Sequence, residues 1–244
     1  MKSSPLILGL LFLPSCGLTS KSDAKLSRDE VRTTRVIGSE FPGKYKHPAA
    51  ITELASGDLY IAYYTGSGEY GNDTAVYGMR RKSGETEWST PVVIADTPGR
   101  SEGNPVVWQA PDGKVWLFYV NRFGATWSTS RVKAKISTDD AKTWSDSFLL
   151  TFEEGTMVRG QPIVLLNGDY LLPIYHETGA DTEFTAADTS SFFLRRDAKT
   201  GKWSETNRIR SPTGNLQAQV AQITDEKLVC YLRVVTVCFT TCAV

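Results

Sequence analysis

Histidine is nearly absent from this chain of 244 residues, which holds two, beside four cysteines and three methionines. With no CxxC and no paired His at zinc spacing, the common Cys/His zinc sites are excluded. Cys230, Cys238 and Cys242 crowd into the end of the chain, whereas a disulfide framework would spread across the fold. Net charge is missing too: 27 Lys+Arg balance 27 Asp+Glu, which removes the basic footprint of a nucleic-acid binder. No apolar run approaches the roughly 18–20 residues that cross a bilayer as a helix. Nor does any stretch carry the i, i+3, i+4, i+7 stripe of an amphipathic helix. What is present, 41% hydrophobic and 22% charged residues, is ordinary globular composition and excludes a disordered tail or a fibrous repeat. An aromatic share of 11%, with Gly and Pro spread evenly, leans towards β structure.

The first residues read as an address. Lys2 precedes the apolar run Leu6–Leu13, the n-region and short h-region of a secretory signal. Leu13-Pro14-Ser15-Cys16 is similar to a bacterial lipobox, whose Cys becomes the lipidated first residue; Pro14 is unusual there, so a plain secretory signal is the alternative. The expectation is a signal peptide over 1–16 and a polar tether over 17–35. The protein is then exported as a periplasmic or cell-surface lipoprotein, otherwise secreted, touching the membrane only through lipid on Cys16. It is expected to be a monomer.

The body repeats. LASGDLYIAYY (54–64), APDGKVWLFYV (110–120), LLNGDYLLPIY (165–175) and ITDEKLVCYLR (223–233) each set a tight polar turn before an apolar run. The turn positions Gly57, Gly113, Gly168 and Glu226 are 56, 55 and 58 residues apart. Upstream of each turn stands a landmark pair: His47-Pro48, Asn104-Pro105, Gln161-Pro162 and Gln217-Ala218. Downstream stand Trp88, Trp144 and Trp203, at 31, 31 and 35 residues from their turns. Units of this length with four short strands predict the blades of an all-β propeller. The expected units are 45–97, 101–152, 157–210 and an incomplete 215–244, within a propeller region of 36–244. The final eleven residues, VVTVCFTTCAV, carry no charge and no glycine. They suggest a reading frame cut short or shifted after about Arg233, in a copy with little activity of its own.

Ser137-Thr138-Asp139-Asp140-Ala141-Lys142-Thr143-Trp144 resembles the Asp box, Ser-x-Asp-x-Gly-x-Thr-Trp, with Ala141 in place of the usual Gly. Such a box, carried by Ser137, Asp139, Thr143 and Trp144, is an architectural hairpin in which the Asp side chain caps turn amides and the Trp packs between blades. Degenerate copies lie at Lys82–Trp88 and Asp197–Trp203. With the segments 47–81, 101–119, 159–177 and 216–233, the box identifies a resemblance over residues 45–233 to the sialidase (neuraminidase) superfamily, in its bacterial BNR-repeat-like branch.

That resemblance implies a propeller of about six blades, of which about four are present, and an exo-glycosidase releasing terminal acidic sugars from glycans. No cofactor and no metal are implied. In the family three arginines clamp the sugar carboxylate with guanidinium forks. A Tyr assisted by a Glu is the nucleophile, and a loop Asp of the first blade is the acid/base. Carried over, Asp73 matches the acid/base loop, the alternative being an Asp that caps a turn. His47-Pro48 stands where the family has Arg-Ile-Pro, so the first clamp arginine is a histidine. Arg233 matches a later clamp arginine. Arg159 could reach the central face, or be a solvated loop residue. Glu177 ends the third hairpin, where side chains point into the funnel, and is a candidate ligand-contacting carboxylate. The nucleophilic Tyr and last arginine are not recognisable in this chain. Two alternatives stay open: a polysaccharide lyase using His47 for proton transfer, and a non-catalytic glycan-binding lipoprotein.

Overall fold

Three turns repeat atom for atom. In each, a glycine at positive φ (Gly57, +82°; Gly113, +83°; Gly168, +89°) occupies a conformation that a Cβ would strain. Its N–H donates back to Leu54, Ala110 or Leu165 at 2.8, 2.9 and 2.8 Å. The fourth turn closes between Thr224 and Lys227 and has Glu226 where the others have glycine. The computed structural model describes residues 33–180, 185–234 and 242–243. Cys16, most of the tether, Cys238 and most of the altered tail lie outside the described residues. All the described strands fall within one unit, Ile37–Val244.

Each turn joins the first two strands of an antiparallel sheet. The first sheet runs β1 (Tyr45–Glu53), β2 (Leu59–Gly66), β3 (Ala75–Arg81) and β4 (Val92–Ala95). The second runs β5 (Ser101–Gln109), β6 (Val115–Arg122), β7 (Ser130–Ser137) and β8 (Phe148–Leu149). In the third, β9 (Thr156–Val158) and β10 (Ile163–Val164) share the partner β11 (Tyr170–His176), followed by β12 (Ser190–Arg196) and β13 (Trp203–Glu205). The fourth comprises β14 (Asn215–Thr224), β15 (Lys227–Val234) and β16 (Cys242–Ala243).

The second strand of each of the first three sheets is a nearly unbroken apolar run because it is covered on both faces. All eight residues of β6 are buried. Since side chains alternate across a strand, Leu117 joins Tyr60, Tyr64 and Val76 of the first sheet. Its neighbour Phe118 joins Leu172, Ile174 and Phe192 of the third. Leu171 and Phe193 in turn meet Leu232 and Cys230 of the fourth. Burial of each such large side chain contributes about 1.5–3 kcal/mol, so the sheets are held face to face by hydrophobic layers.

The hairpin Ser137–Trp144 locks one of these layers. Asp139 accepts from the Thr143 amide (2.9 Å), the Thr143 hydroxyl (2.7 Å) and the Ser137 hydroxyl (2.7 Å). These donors hold its carboxyl far below the usual range, the Thr143 amide foremost. Ala141, at φ +57°, takes the left-handed conformation and is buried against the first sheet. Trp144 meets Tyr60 of the first sheet edge-on at 6.2 Å. Trp203 meets Trp116 of the second in the same manner at 6.0 Å. The later landmark tryptophans therefore each fill the gap to the preceding sheet.

Candidate functional site

The upstream landmark pairs become legible in the strand registers. Pairing slips by one or more residues between His47 and Ala49, between Gly103 and Val106, and between Leu216 and Gln219. These are β-bulges at one position of three first strands, and a bulge re-aims a side chain. Asn104 (φ 44°) and Gln217 (φ 55°) adopt left-handed backbone there. In the third sheet the irregularity widens into the break between β9 and β10, and Gln161 spans it. Its amide donates to the Ile51 and Val107 carbonyls at 2.9 and 3.0 Å, so this landmark is architectural.

The other three landmarks converge. His47, Asn104 and Gln217 line one pocket of about 180 Å³ with Glu69, Tyr70, Tyr175, Glu177 and Arg233. Trp127, from a 3-10 turn at Trp127–Thr129, closes one side. The Arg122 guanidinium lies over the Tyr70 and Trp127 rings, at 5.1 and 5.7 Å from their centroids, and donates to the Tyr70 carbonyl. This stacking fixes the loop after β2 against the second sheet.

Charge in the pocket is sparse and mixed. The Tyr45 hydroxyl donates to Glu69 Oε2 at 2.7 Å. Burial, followed by the Glu69 carboxylate, pushes the Tyr45 phenol up to about 12, so Tyr45 serves as a donor throughout the physiological range. His47 Nδ1 lies 3.3 Å from the Tyr64 hydroxyl. Below, the buried Tyr175 hydroxyl accepts from the Asn104 amide at 3.2 Å. Glu177 follows β11 directly. Burial raises its carboxyl to about 7; Arg233 opposes the rise and Glu69 adds to it. Around pH 7 the Glu177 carboxyl is thus only partly ionised, and it shares the pocket with Glu69 and Arg233.

Of the residues singled out in the sequence, His47, Glu177 and Arg233 are brought together and two are not. Asp73 folds back on its own loop, its carboxylate taking the Ser67 hydroxyl at 2.7 Å and the Ser67 amide at 3.1 Å. These bonds lower its pKa, the hydroxyl foremost, and it is absent from the pocket lining. The turn-capping alternative describes this geometry. Arg159 also stays out of the lining, although its charge reaches the Tyr175 hydroxyl. Ser137, Asp139, Thr143 and Trp144 are elsewhere, in their hairpin. Glu69 escaped the sequence reading. It sits between Gly68 and Gly71, whose N–H donates to the Gly68 carbonyl at 3.1 Å, and the loop carries Glu69 inward and Asp73 outward.

Residues 57–242 match the model of the BNR repeat-like domain. The chain belongs to that family. No curated protein matches the sequence. Among solved structures, the leech intramolecular trans-sialidase complexed with 2,7-anhydro-Neu5Ac superposes with a TM-score of 0.69 at 13% identity. The match covers 89% of this chain and 53% of that one. The Hadza microbial sialidase Hz136 gives 0.65 at 16% identity over 79% and 43%. NanB sialidase from Streptococcus pneumoniae gives 0.65 at 10% over 83% and 50%. The fold is therefore the all-β propeller of the sialidase type, and this chain spans about half the length of those enzymes.

Proposed function

We propose that this BNR repeat-like protein is an exported sialidase-type exo-glycosidase domain, tethered through Cys16, that acts on terminal acidic sugars of glycans. The observation carrying the reading is the pocket itself, where landmark side chains of three repeats meet two carboxyls and one guanidinium. Arg233 supplies a fork for a sugar carboxylate. The amides of Asn104 and Gln217 suit sugar hydroxyls, and Trp127 with Tyr70 offers an aromatic wall for the ring. His47 replaces one arginine of the clamp, so carboxylate binding rests more heavily on Arg233. The leech relative, complexed with 2,7-anhydro-Neu5Ac, supports this substrate class.

A fluorogenic sialoside assay on the purified protein tests the reading: slow release of the fluorophore is expected, in keeping with a copy of little activity, and Arg233→Ala should raise KM at least tenfold. No release, with unsaturated uronate ends forming instead from uronate polymers, would make the protein a lyase. Glycan binding without either reaction would make it a binding module.

A further inference from the structure

A single guanidinium behind the pocket holds two rings and two stretches of backbone. Arg122, the last residue of β6, is 6% exposed. It stands nine residues after Gly113, as Glu177 stands after Gly168. Glu177 lines the pocket and Arg122 does not; its guanidinium instead covers the Tyr70 and Trp127 rings, whose centroids are 5.6 Å apart. Nη1 donates to the Ala125 carbonyl at 2.6 Å and Nη2 to the Tyr70 carbonyl at 2.5 Å. Ala125 leads into the 3-10 turn that carries Trp127, and Tyr70 lies in the loop after β2, so both sides of the aromatic wall depend on one side chain. The Trp127 ring also lies against Gly103, where a Cβ would come within 2.8 Å of it. Ser128 ties the same turn to the chain beyond β11, its hydroxyl donating to the Gly179 carbonyl at 2.6 Å.

Among the described residues no carboxylate forms an ion pair with Arg122, and its Nε–H is buried without a hydrogen-bond partner. Burying an unpaired cation is costly, and an apolar side chain would fill the space without that cost. What a guanidinium adds is a flat cation that stacks on two rings while its fork reaches two carbonyls, a combination that Lys does not reproduce. We infer that Arg122 is a positioning residue of this site, fixing Tyr70 and Trp127 as the wall against which a sugar ring packs. This deepens the glycosidase reading and rests on it for the ligand; the placing of the wall itself is testable without one.

The test compares wild type with Arg122→Lys, which keeps the charge and loses the plane and the fork. In protein labelled with 5-fluorotryptophan, the 19F resonance missing from Trp127→Phe belongs to Trp127. In wild type, where the ring is 7% exposed, it should barely differ between H2O and D2O; in Arg122→Lys it should gain the solvent shift of an exposed indole. An unchanged resonance overturns the inference. Titration with 3′-sialyllactose is the second readout. Arg122→Lys should weaken Kd about tenfold, and the same change made in Trp127→Ala should weaken it less than about twofold, because a residue acting through the ring then has nothing left to position. Equal losses in both backgrounds, as a merely structural Arg122 would give, or no loss in either, would overturn the role in binding while leaving the glycosidase reading intact. If Trp127→Ala does not fold, the 19F readout decides alone. A gained solvent shift in Arg122→Lys without binding of sialyllactose by wild type would uphold Arg122 as the support of the wall and sink the sialoside reading.

Discussion

Asp139 and Glu177 are both carboxyl groups held within a repeat, yet their surroundings push them in opposite directions. Asp139 sits in a hairpin that meets it with hydroxyl and amide donors, so its charge is stabilised and its work is mechanical. Glu177 sits in an enclosed pocket with another carboxylate near it, so its charge is resisted and a proton is kept available. The conspicuous octapeptide motif thus serves architecture. The pocket is lined by residues that differ from repeat to repeat while occupying an equivalent place: His47, Asn104 and Gln217 at the bulges, Glu177 and Arg233 at or just beyond the ends of second strands.

The largest effect should come from the layer on which both regions depend. Phe118→Ala empties a fully buried site between the second and third sheets and should cost about 3–5 kcal/mol, read as a lowered denaturant midpoint. Trp144→Ala removes the edge contact to Tyr60. Because Trp144 is only half-buried, the loss should be about 2 kcal/mol, with KM and kcat for a sialoside unchanged. A loss of turnover out of proportion to the loss of stability would break the separation between hairpin and pocket.

pH divides the two regions by sign. The folded pKa of Asp139 lies below its ordinary value, so its stabilisation is present above about pH 4 and is lost as pH falls. Glu177 is raised to about 7, so the folded state is favoured below its ordinary value and weakened as pH rises through 7. Melting curves across this range should show Asp139→Asn flattening the acid limb. Glu177→Gln should gain on wild type progressively between about pH 4.5 and 7 and level off above. The smallest effect belongs to Ala141→Gly, where relief of a left-handed backbone offsets a lost buried methyl, and the net change should stay under about 1 kcal/mol.

The periodic part of this molecule was legible because turn chemistry is local. Gly57, Gly113 and Gly168 announce the same turn in sequence and make it in space. The landmark pairs were equally visible, but not what they do. A bulge depends on the register with the partner strand, which no short window of sequence contains, so Gln161 and Gln217 look alike and one braces strands while the other lines the pocket. The loop Ser67–Thr74 shows the same limit. Asp73 was the carboxylate that the family resemblance favoured, yet a turn of four residues closed by Gly71 leaves Asp73 on its own loop and brings Glu69 into the pocket.

The most direct measurement is the hydrolysis of a fluorogenic sialoside by wild type, Trp144→Ala and Arg233→Ala, side by side at neutral pH. If the pocket receives the sugar and the hairpin serves architecture, Trp144→Ala keeps the KM and kcat of wild type and Arg233→Ala raises KM at least tenfold. A raised KM in Trp144→Ala with Arg233→Ala unaffected would contradict the account.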